Sequence, residues 1–213
     1  SLAIAAGGER PMSAAPRTDW IWIRHAPVQG QEARYFGQLD VSAEPVHPAV
    51  AGAIARRLPP VAVWLGSPLI RARMMSLALR EGVDPIAIPD FNEQNYGLWQ
   101  GRTHNDVYNS NRTLDWTNPA TICPPEGESF ADVCVRVGAA IDRLSLHYAG
   151  HSIVALGHQT TVRAAIAHAL GLDATTAMRF DVAPLSMTRL THRVVNGVAQ
   201  WTIGGMNTEF GLT

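Results

Sequence analysis

The chain has 213 residues, of which 46% are hydrophobic and 16% are charged, and its formal net charge at pH 7 is −1. This length and balance are typical of one globular domain and exclude a disordered chain. The near-neutral charge argues against nucleic acid or an anionic membrane as partner, because both are bound through basic patches. The longest apolar runs, such as residues 61–65, are too short to cross a bilayer, which takes about 20 residues.

All 17 basic residues are arginine, because the sequence contains no lysine. That composition excludes mechanisms that need a lysine in this sequence, namely a Walker A phosphate loop, a pyridoxal Schiff base and a Ser-Lys hydrolase. Arginine also suits the planar, bidentate recognition of phosphate and carboxylate groups.

The N-terminal residues 1–17 are rich in Ala, Gly and Pro but lack the basic start and apolar centre of a secretory signal. They are predicted to form a flexible extension, and residues 18–213 to form a single domain. Cys123 and Cys134 are too few for a disulfide framework, and their spacing fits neither a redox pair nor a zinc site. Free thiols in a reducing, cytoplasmic setting are therefore expected.

Short apolar runs that alternate with helical patterns organise the chain. The predicted strands are residues 20–23, 61–65, 86–88 and 153–156, and the predicted helices are residues 48–58, 69–80, 130–148 and 162–170. This alternation predicts an α/β fold, a three-layer α/β/α sandwich with a mostly parallel central sheet. Residues 186–192 and 198–203, around Asn196-Gly197, predict a C-terminal hairpin. Residues 90–125, with one helical patch near 103–111, are predicted to form a lid over a site.

Two of the predicted strands end in histidine. Arg24 and His25 follow residues 20–23, and His158 follows residues 153–156. A third strand, residues 61–65, leads to Arg71 in the first turns of the next helix. Because ligands collect at the carboxyl ends of parallel strands, these side chains are expected to converge if the strands are neighbours.

A neutral imidazole is a good nucleophile toward phosphorus, and nearby arginines both keep it neutral and neutralise the phosphoryl oxygens. The leaving alkoxide then needs a proton from a carboxylic acid. Glu93, at the entry to an aromatic and glycine-rich stretch, is the candidate for this acid.

Other readings of single residues carry less weight. A lone buried histidine is more often a core residue whose hydrogen bonds are satisfied. Ser67 lacks the Gly-x-Ser-x-Gly elbow of a nucleophile, so its expected role is to cap the next helix. His147 and His151 are four residues apart, but Gly150 is expected to end that helix, which favours surface histidines over metal ligands. The remaining histidines are read as surface or core residues, with only His104 kept as a pocket candidate: His47, His104, His168 and His192.

Five short blocks follow one another along the chain. They are Arg24-His25, Ser67-Pro68-Leu69 with Arg71-Ala72, Asn92-Glu93 with Tyr96-Gly97 and Gly101, Gly127-Glu128-Ser129 with Arg136, and Gly157-His158 with Arg163. In this order they resemble the histidine phosphatase superfamily, in its phosphoglycerate mutase-like branch. They span residues 20 to about 170. Residues 35–41 also look like a segment of α-ribazole phosphatase-like members. The acid phosphatase and phytase branch is less similar, since its acid directly follows the second histidine, where this chain has Gln159.

The resemblance implies a metal-independent reaction with no cofactor, in which His25 becomes phosphohistidine and Glu93 donates the proton. Arg24, Arg71 and His158 would bind the phosphoryl group. Gln31 and Gln159 are further candidates for phosphate binding. The usual glycine after the nucleophile is replaced by Ala26, which allows a less close approach of the backbone to phosphate. Val28 and Gln31 stand where the family has Thr and Asn.

The function expected from these residues is hydrolysis of a small phosphorylated metabolite through a phosphohistidine, in the cytoplasm, without nucleic acid or membrane as partner. A homodimer is an open alternative to a monomer. A phosphoglycerate mutase-type phosphotransferase is the alternative reaction, although mutases carry a longer insertion near Glu93. A non-catalytic phosphate-binding protein is the third hypothesis, and it rests on the presence of Ala26 in place of the usual glycine after His25.

Overall fold

The computed structural model describes residues 16–30 and 33–211, and these contain a six-stranded mixed sheet. In spatial order the strands run β3-β2-β4-β1-β5-β6. The first four are parallel, and β5 and β6 form an antiparallel hairpin along one side. The strands are β1 (Arg17–Arg24), β2 (Val63–Gly66), β3 (Ile86–Ala87), β4 (Ser152–Gly157), β5 (Met187–Val195) and β6 (Val198–Thr208).

Helices cover both faces of this sheet, which gives three layers. Alternate side chains of β1 divide between two cores, as the period of two in a strand requires. The helices are α1 (Pro48–Ala55), α2 (Ile70–Leu79), α3 (His104–Ser110), α4 (Phe130–His147), α5 (Gln159–Leu170) and α6 (Ala174–Ala177). Trp20 and Trp22 pack against α4 and α5, whereas Ile21 and Ile23 pack against α1 and α2.

The predicted three-layer α/β fold and the C-terminal hairpin are confirmed, and the boundaries need correction in places. Strand β2 begins at Val63 rather than at Val61, whose side chain is 82% exposed. Helix α5 begins at Gln159, three residues before the predicted start. The helical spacing of apolar residues does not reveal this first turn, because Gln159, Thr160 and Thr161 are polar residues at the sheet edge. Strand β1 starts at Arg17, which the sequence assigned to the extension, and residues 1–15 of that prediction lie outside the described part of the chain.

The segment predicted to be a lid contains α3 and short 3₁₀ helices at Pro89–Phe91, Gly97–Trp99 and Pro119–Thr121. Phe91 is fully buried and packs edge-on against Trp22, with 4.8 Å between the ring centroids. Gly97 has a φ of +48°, and a Cβ there would lie 2.0 Å from the carbonyl oxygen of Pro125. The Leu98 amide donates to the same carbonyl at 2.9 Å, so the chain near the start of the segment is hydrogen-bonded to its last residue.

Across residues 16–30 and 33–211, no helix is both long and apolar enough to cross a membrane.

Candidate active site

The carboxyl ends of β1, β4 and β2 lie side by side, because β4 pairs in parallel with both of its neighbours. Backbone hydrogen bonds continue past the strands, from the His25 amide to the Gly157 carbonyl at 3.2 Å and from the Ser67 amide to the Leu156 carbonyl at 3.0 Å. The imidazole rings of His25 and His158 therefore meet, with 5.0 Å between their centroids. The convergence predicted from the sequence depended on the strands being neighbours, and they are.

The tautomer of His25 follows from its hydrogen bond. Nδ1 of His25 lies 2.6 Å from the carbonyl oxygen of Ala26. A carbonyl oxygen can only accept, so Nδ1 carries the hydrogen and Nε2 carries the lone pair. The ring is 6% exposed and lines a cavity of about 410 Å³. His25 thus presents a neutral imidazole with an available nucleophilic nitrogen.

Both histidines are strongly biased toward the neutral form. Burial lowers the pKa of His25 to about 3, and the charges of Arg71 and Arg24 add to this effect. Burial lowers the pKa of His158 well below its ordinary value, and the neighbouring His25 and Arg71 contribute further to this shift. His158 is fully buried, and neither of its ring nitrogens has a hydrogen-bond partner among the described residues. A buried orphan donor of this kind is costly, so its position is best explained by a ligand that accepts its hydrogen bond.

Two arginines lie beside the histidines, held by backbone carbonyls. Arg71 is 2% exposed and donates to the carbonyls of Gly37 at 2.6 Å and Leu39 at 2.9 Å. Arg24 donates through one terminal nitrogen to the carbonyl of Val182 at 2.5 Å, while its Nε is buried without a partner in the described chain. Neither guanidinium forms an ion pair with an acidic side chain within residues 16–30 and 33–211. Their charges are therefore available to an anion in the cavity.

Glu93 lines the same cavity, and one of its two carboxylate oxygens is fixed. Oε1 accepts hydrogen bonds from the Gln94 amide at 2.8 Å and from the Thr160 hydroxyl. For Oε2, the described residues provide no hydrogen-bond partner. Because Thr160 lies in the first turn of α5, the acid is tied directly to the helix that follows His158.

An ion pair outside the cavity holds the backbone around Glu93. Arg136 forms a bidentate pair with Glu128, at 2.7 and 2.9 Å, and also donates to the carbonyls of Asp90 and Glu93. Glu128 in turn accepts from the amide of Asn95 at 2.8 Å. Both charged side chains are largely buried. In the sequence they belong to one of the five family-like blocks without an assigned role, whereas the structure makes them a clamp on the segment that carries Glu93.

Replacing Arg136 with methionine should lower kcat on alkyl phosphates about 10- to 100-fold, because a small displacement of the Glu93 backbone misaligns the acid. The loss on p-nitrophenyl phosphate should be smaller, since its leaving group needs little protonation. Steady-state kinetics on glycerol 3-phosphate and p-nitrophenyl phosphate would measure both losses.

Arg143→Met is the matched control. Arg143 lies on the same helix and pairs with Asp90 at 3.1 Å, but its side chain is 61% exposed. Surface pairs of this kind contribute little, so this variant should keep both activities. Equal losses of Arg136→Met on the two substrates would contradict a positioning role and indicate a general structural defect.

The sequence placed three further residues in or near the site, namely Gln31, Gln159 and His104. Gln159, the first residue of α5, and His104 both line the cavity, whereas Gln31 lies outside the described residues. Ala26 does not line this cavity and instead borders a second, mainly apolar one of about 310 Å³. Ala26, which stands where the family usually has glycine, is therefore absent from the lining of the cavity beside His25, while Arg71 borders both cavities. Ser67 does not cap α2, whose N-cap is Leu69, but donates to Asn92 at 2.8 Å.

Sequence reasoning left several cavity residues out of the site. Tyr35 and Tyr96 form an aromatic wall, with ring centroids 4.7 Å apart, and Arg34 and Arg163 add two further charges. Burial raises the pKa of Tyr96, and the neighbouring Glu93 adds to the shift. For Arg163, a signal was present, because it comes five residues after His158 on the predicted helix. The signal for Tyr35 was its place in residues 35–41, which look like a segment of α-ribazole phosphatase-like members, and nothing local in the sequence marks Arg34.

Two neighbouring histidines and two arginines therefore meet at the carboxyl edge of a three-layer sheet, an arrangement that suits a phosphate ester. The model of the histidine phosphatase superfamily (branch 1) matches residues 20–202, and the chain belongs to this family. The recognition made from the five sequence blocks is confirmed.

Individual relatives are more distant. A bifunctional protein of Mycobacterium tuberculosis, Rv2228c, is 29% identical over 181 residues, which cover 80% of this chain and 50% of that protein. The chain thus spans about half the length of the curated mycobacterial relatives that it matches. The adenosylcobalamin/α-ribazole phosphatase of Salmonella typhimurium is 29% identical over 126 residues, 55% of this chain and 61% of that protein.

Among solved structures, the mycobacterial glucosyl-3-phosphoglycerate phosphatase Rv2419c superposes with a TM-score of 0.77 at 23% identity, covering 91% of this chain and 100% of that one. At this identity the likeness establishes the fold and leaves the substrate undetermined.

Proposed function

We propose that the protein is a phosphomonoesterase that hydrolyses a small phosphorylated metabolite through a phosphohistidine at His25. The observation that carries the proposal is the state of His25: a neutral imidazole whose Nε2 lone pair is available, with Arg24 and Arg71 close enough to lower its pKa. Two of the proteins that the chain resembles are named as phosphatases, which supports hydrolysis over phosphoryl transfer between hydroxyls.

In the first step, Nε2 of His25 attacks phosphorus and the bond between phosphorus and the ester oxygen breaks. Arg24 and Arg71 from the cavity wall bind the phosphoryl oxygens, together with His158, whose unpartnered ring lies against His25. Gln159 is a further donor at the start of α5. The leaving oxygen takes a proton from Glu93, so the alcohol departs neutral.

In the second step, water attacks the phosphohistidine and gives its proton to the Glu93 carboxylate. The bond between phosphorus and Nε2 breaks, inorganic phosphate leaves, and the lone pair returns to His25. Protons and charge balance over the two steps, with one water consumed and one alcohol and one phosphate released. No electron transfer is involved.

The purified protein should release p-nitrophenol from p-nitrophenyl phosphate between about pH 5 and 8, with and without a chelator. Equal rates in both conditions are expected, because the steps above use side chains alone. A rate that collapses with chelator and returns with added metal would contradict this mechanism. No turnover across the pH range would favour the phosphate-binding scaffold over the enzyme.

A further inference from the structure

Arg163 is a cavity residue to which the phosphoryl steps give no role. It lies on α5 four residues after Gln159, so the two side chains share one face of the helix, and both line the cavity. Its Nε donates to the carbonyl of Phe180 at 2.7 Å. This bond anchors the guanidinium, while its two terminal nitrogens have no hydrogen-bond partner in the described chain.

The guanidinium of Arg163 is partly desolvated but lacks a salt bridge. Burial lowers its pKa, and the negative charges of Glu93 and Asp181 oppose the shift from nearby. Neither carboxylate lies within ion-pair distance of Arg163 in the part of the chain that is described. A half-buried cation without a counter-ion is unfavourable, so its position is explained if a ligand supplies the charge.

The balance of charges in the cavity also supports an anionic ligand group at Arg163. Arg24 and Arg71 together match the two negative charges of a phosphomonoester. When Glu93 holds the proton that it delivers, Arg163 has no negative counterpart on the cavity wall. Arg34, the fourth arginine of the wall, donates to the carbonyl of Gly101, so the charge of Arg163 is the one left for the part of the substrate that departs.

We propose that Arg163 binds a second anionic group, a carboxylate or a further phosphate, on the leaving-group side of the substrate. The preferred substrates are then acidic phosphomonoesters rather than neutral ones, and this inference rests on the proposed phosphatase function. One helical turn, about 5.4 Å, separates Arg163 from Gln159 at the start of α5. The second anionic group is accordingly placed a few bonds from the phosphorus.

Two matched substrate pairs test the proposal. 3-Phosphoglycerate and glycerol 3-phosphate differ by a carboxylate, and fructose 1,6-bisphosphate and fructose 6-phosphate differ by a phosphate. In at least one pair, the acidic member should have a kcat/KM about 10- to 100-fold higher, as expected for a hydrogen bond between charged groups. The pair that shows the preference identifies which anion is bound.

Arg163→Gln should remove most of that preference, with the loss lying mainly in KM. Arg179→Gln, the same change at an exposed arginine that does not line the cavity, should keep the preference. If Arg163→Gln does not fold, Arg163→Lys replaces it, because it keeps the charge but not the bidentate geometry and should reduce the preference. Hydrolysis of p-nitrophenyl phosphate by each variant reports on the phosphatase reaction separately.

Absence of a preference in both pairs, while p-nitrophenyl phosphate is hydrolysed in a His25-dependent reaction, would overturn the role of Arg163 and leave the phosphatase function standing. Equal losses of Arg163→Gln on acidic and neutral members would also overturn it, because that pattern indicates an effect on Glu93 or on the fold. Failure of the wild-type protein to hydrolyse any of the five esters would overturn both proposals.

Discussion

Replacing His25 with alanine should lower phosphatase activity by about 10,000-fold or more, because the substitution removes the nucleophile and not only a binding contact. The wild-type protein should also form a phosphoenzyme in rapid-quench experiments with radiolabelled substrate. A phosphorus–nitrogen bond at histidine is labile to acid and stable to alkali, so the quench must be alkaline. The variant should form none.

His151→Ala is the control for this change. His151 is exposed and lies just before β4, at the opposite end of the sheet from the site, so its removal should leave the rate unchanged. Retention of activity in His25→Ala, or a phosphoenzyme labelled at another residue, would show that the proposed mechanism is wrong.

The low pKa of His25 has a consequence for the pH dependence of its phosphorylation. Because burial and Arg71 lower the pKa to about 3, the ring stays neutral as the pH falls from 8 to about 4, and it loses its nucleophilic form only below that range. The single-turnover rate should therefore have no step near pH 6.5 that arises from His25. If the rate changes near the ordinary pKa of histidine, the measurement is repeated with a substrate whose phosphate does not titrate in this range. Disappearance of the change would assign it to the substrate phosphate.

Replacing Glu93 with glutamine should lower kcat on alkyl phosphates about 100- to 10,000-fold, the range that general acid catalysis supplies. The loss on p-nitrophenyl phosphate should be at most about tenfold, because p-nitrophenolate leaves without a proton. A series of phenyl phosphates with leaving groups of increasing pKa would measure the effect as a steeper dependence of rate on leaving-group pKa in the variant.

Glu81→Gln, at an exposed site remote from the cavity, should match the wild-type protein across this series. An equal loss of Glu93→Gln on good and poor leaving groups would remove Glu93 from the acid role. It would leave only the role of holding Thr160 and the first turn of α5.

The aromatic wall bears on which leaving groups are accepted. Tyr35 packs against Tyr96 and against His104, with ring centroids 4.7 and 4.3 Å apart, and Tyr96 is supported from the 3₁₀ turn at Gly97–Trp99. The two tyrosine rings offer apolar contact on one side of the cavity, whereas Arg163 offers a positive charge. A leaving group with an apolar or ring portion as well as an acidic group would use both.

Local patterns in the sequence were sufficient for the elements that meet at the site. The apolar runs before His25 and His158 each mark a strand buried on both faces, and a polar residue directly after such a run lies at the sheet edge. The same reasoning placed Arg71 in the first turn of α2, where the structure has it. Glu93 was selected by chemical need and by family resemblance, since no local pattern places it.

What the sequence by itself determined was thus the parallel α/β architecture, the two histidines at strand ends and the family, because each is visible in short local patterns and their order along the chain. Only the tertiary structure decided that β4 lies between β1 and β2, and so that the two imidazoles meet. It alone also decided the tautomer of His25, the clamp of Arg136 on the Glu93 segment and the unpaired charge of Arg163. These are properties of contacts between distant residues, and packing sets them without leaving a periodic signal in the chain.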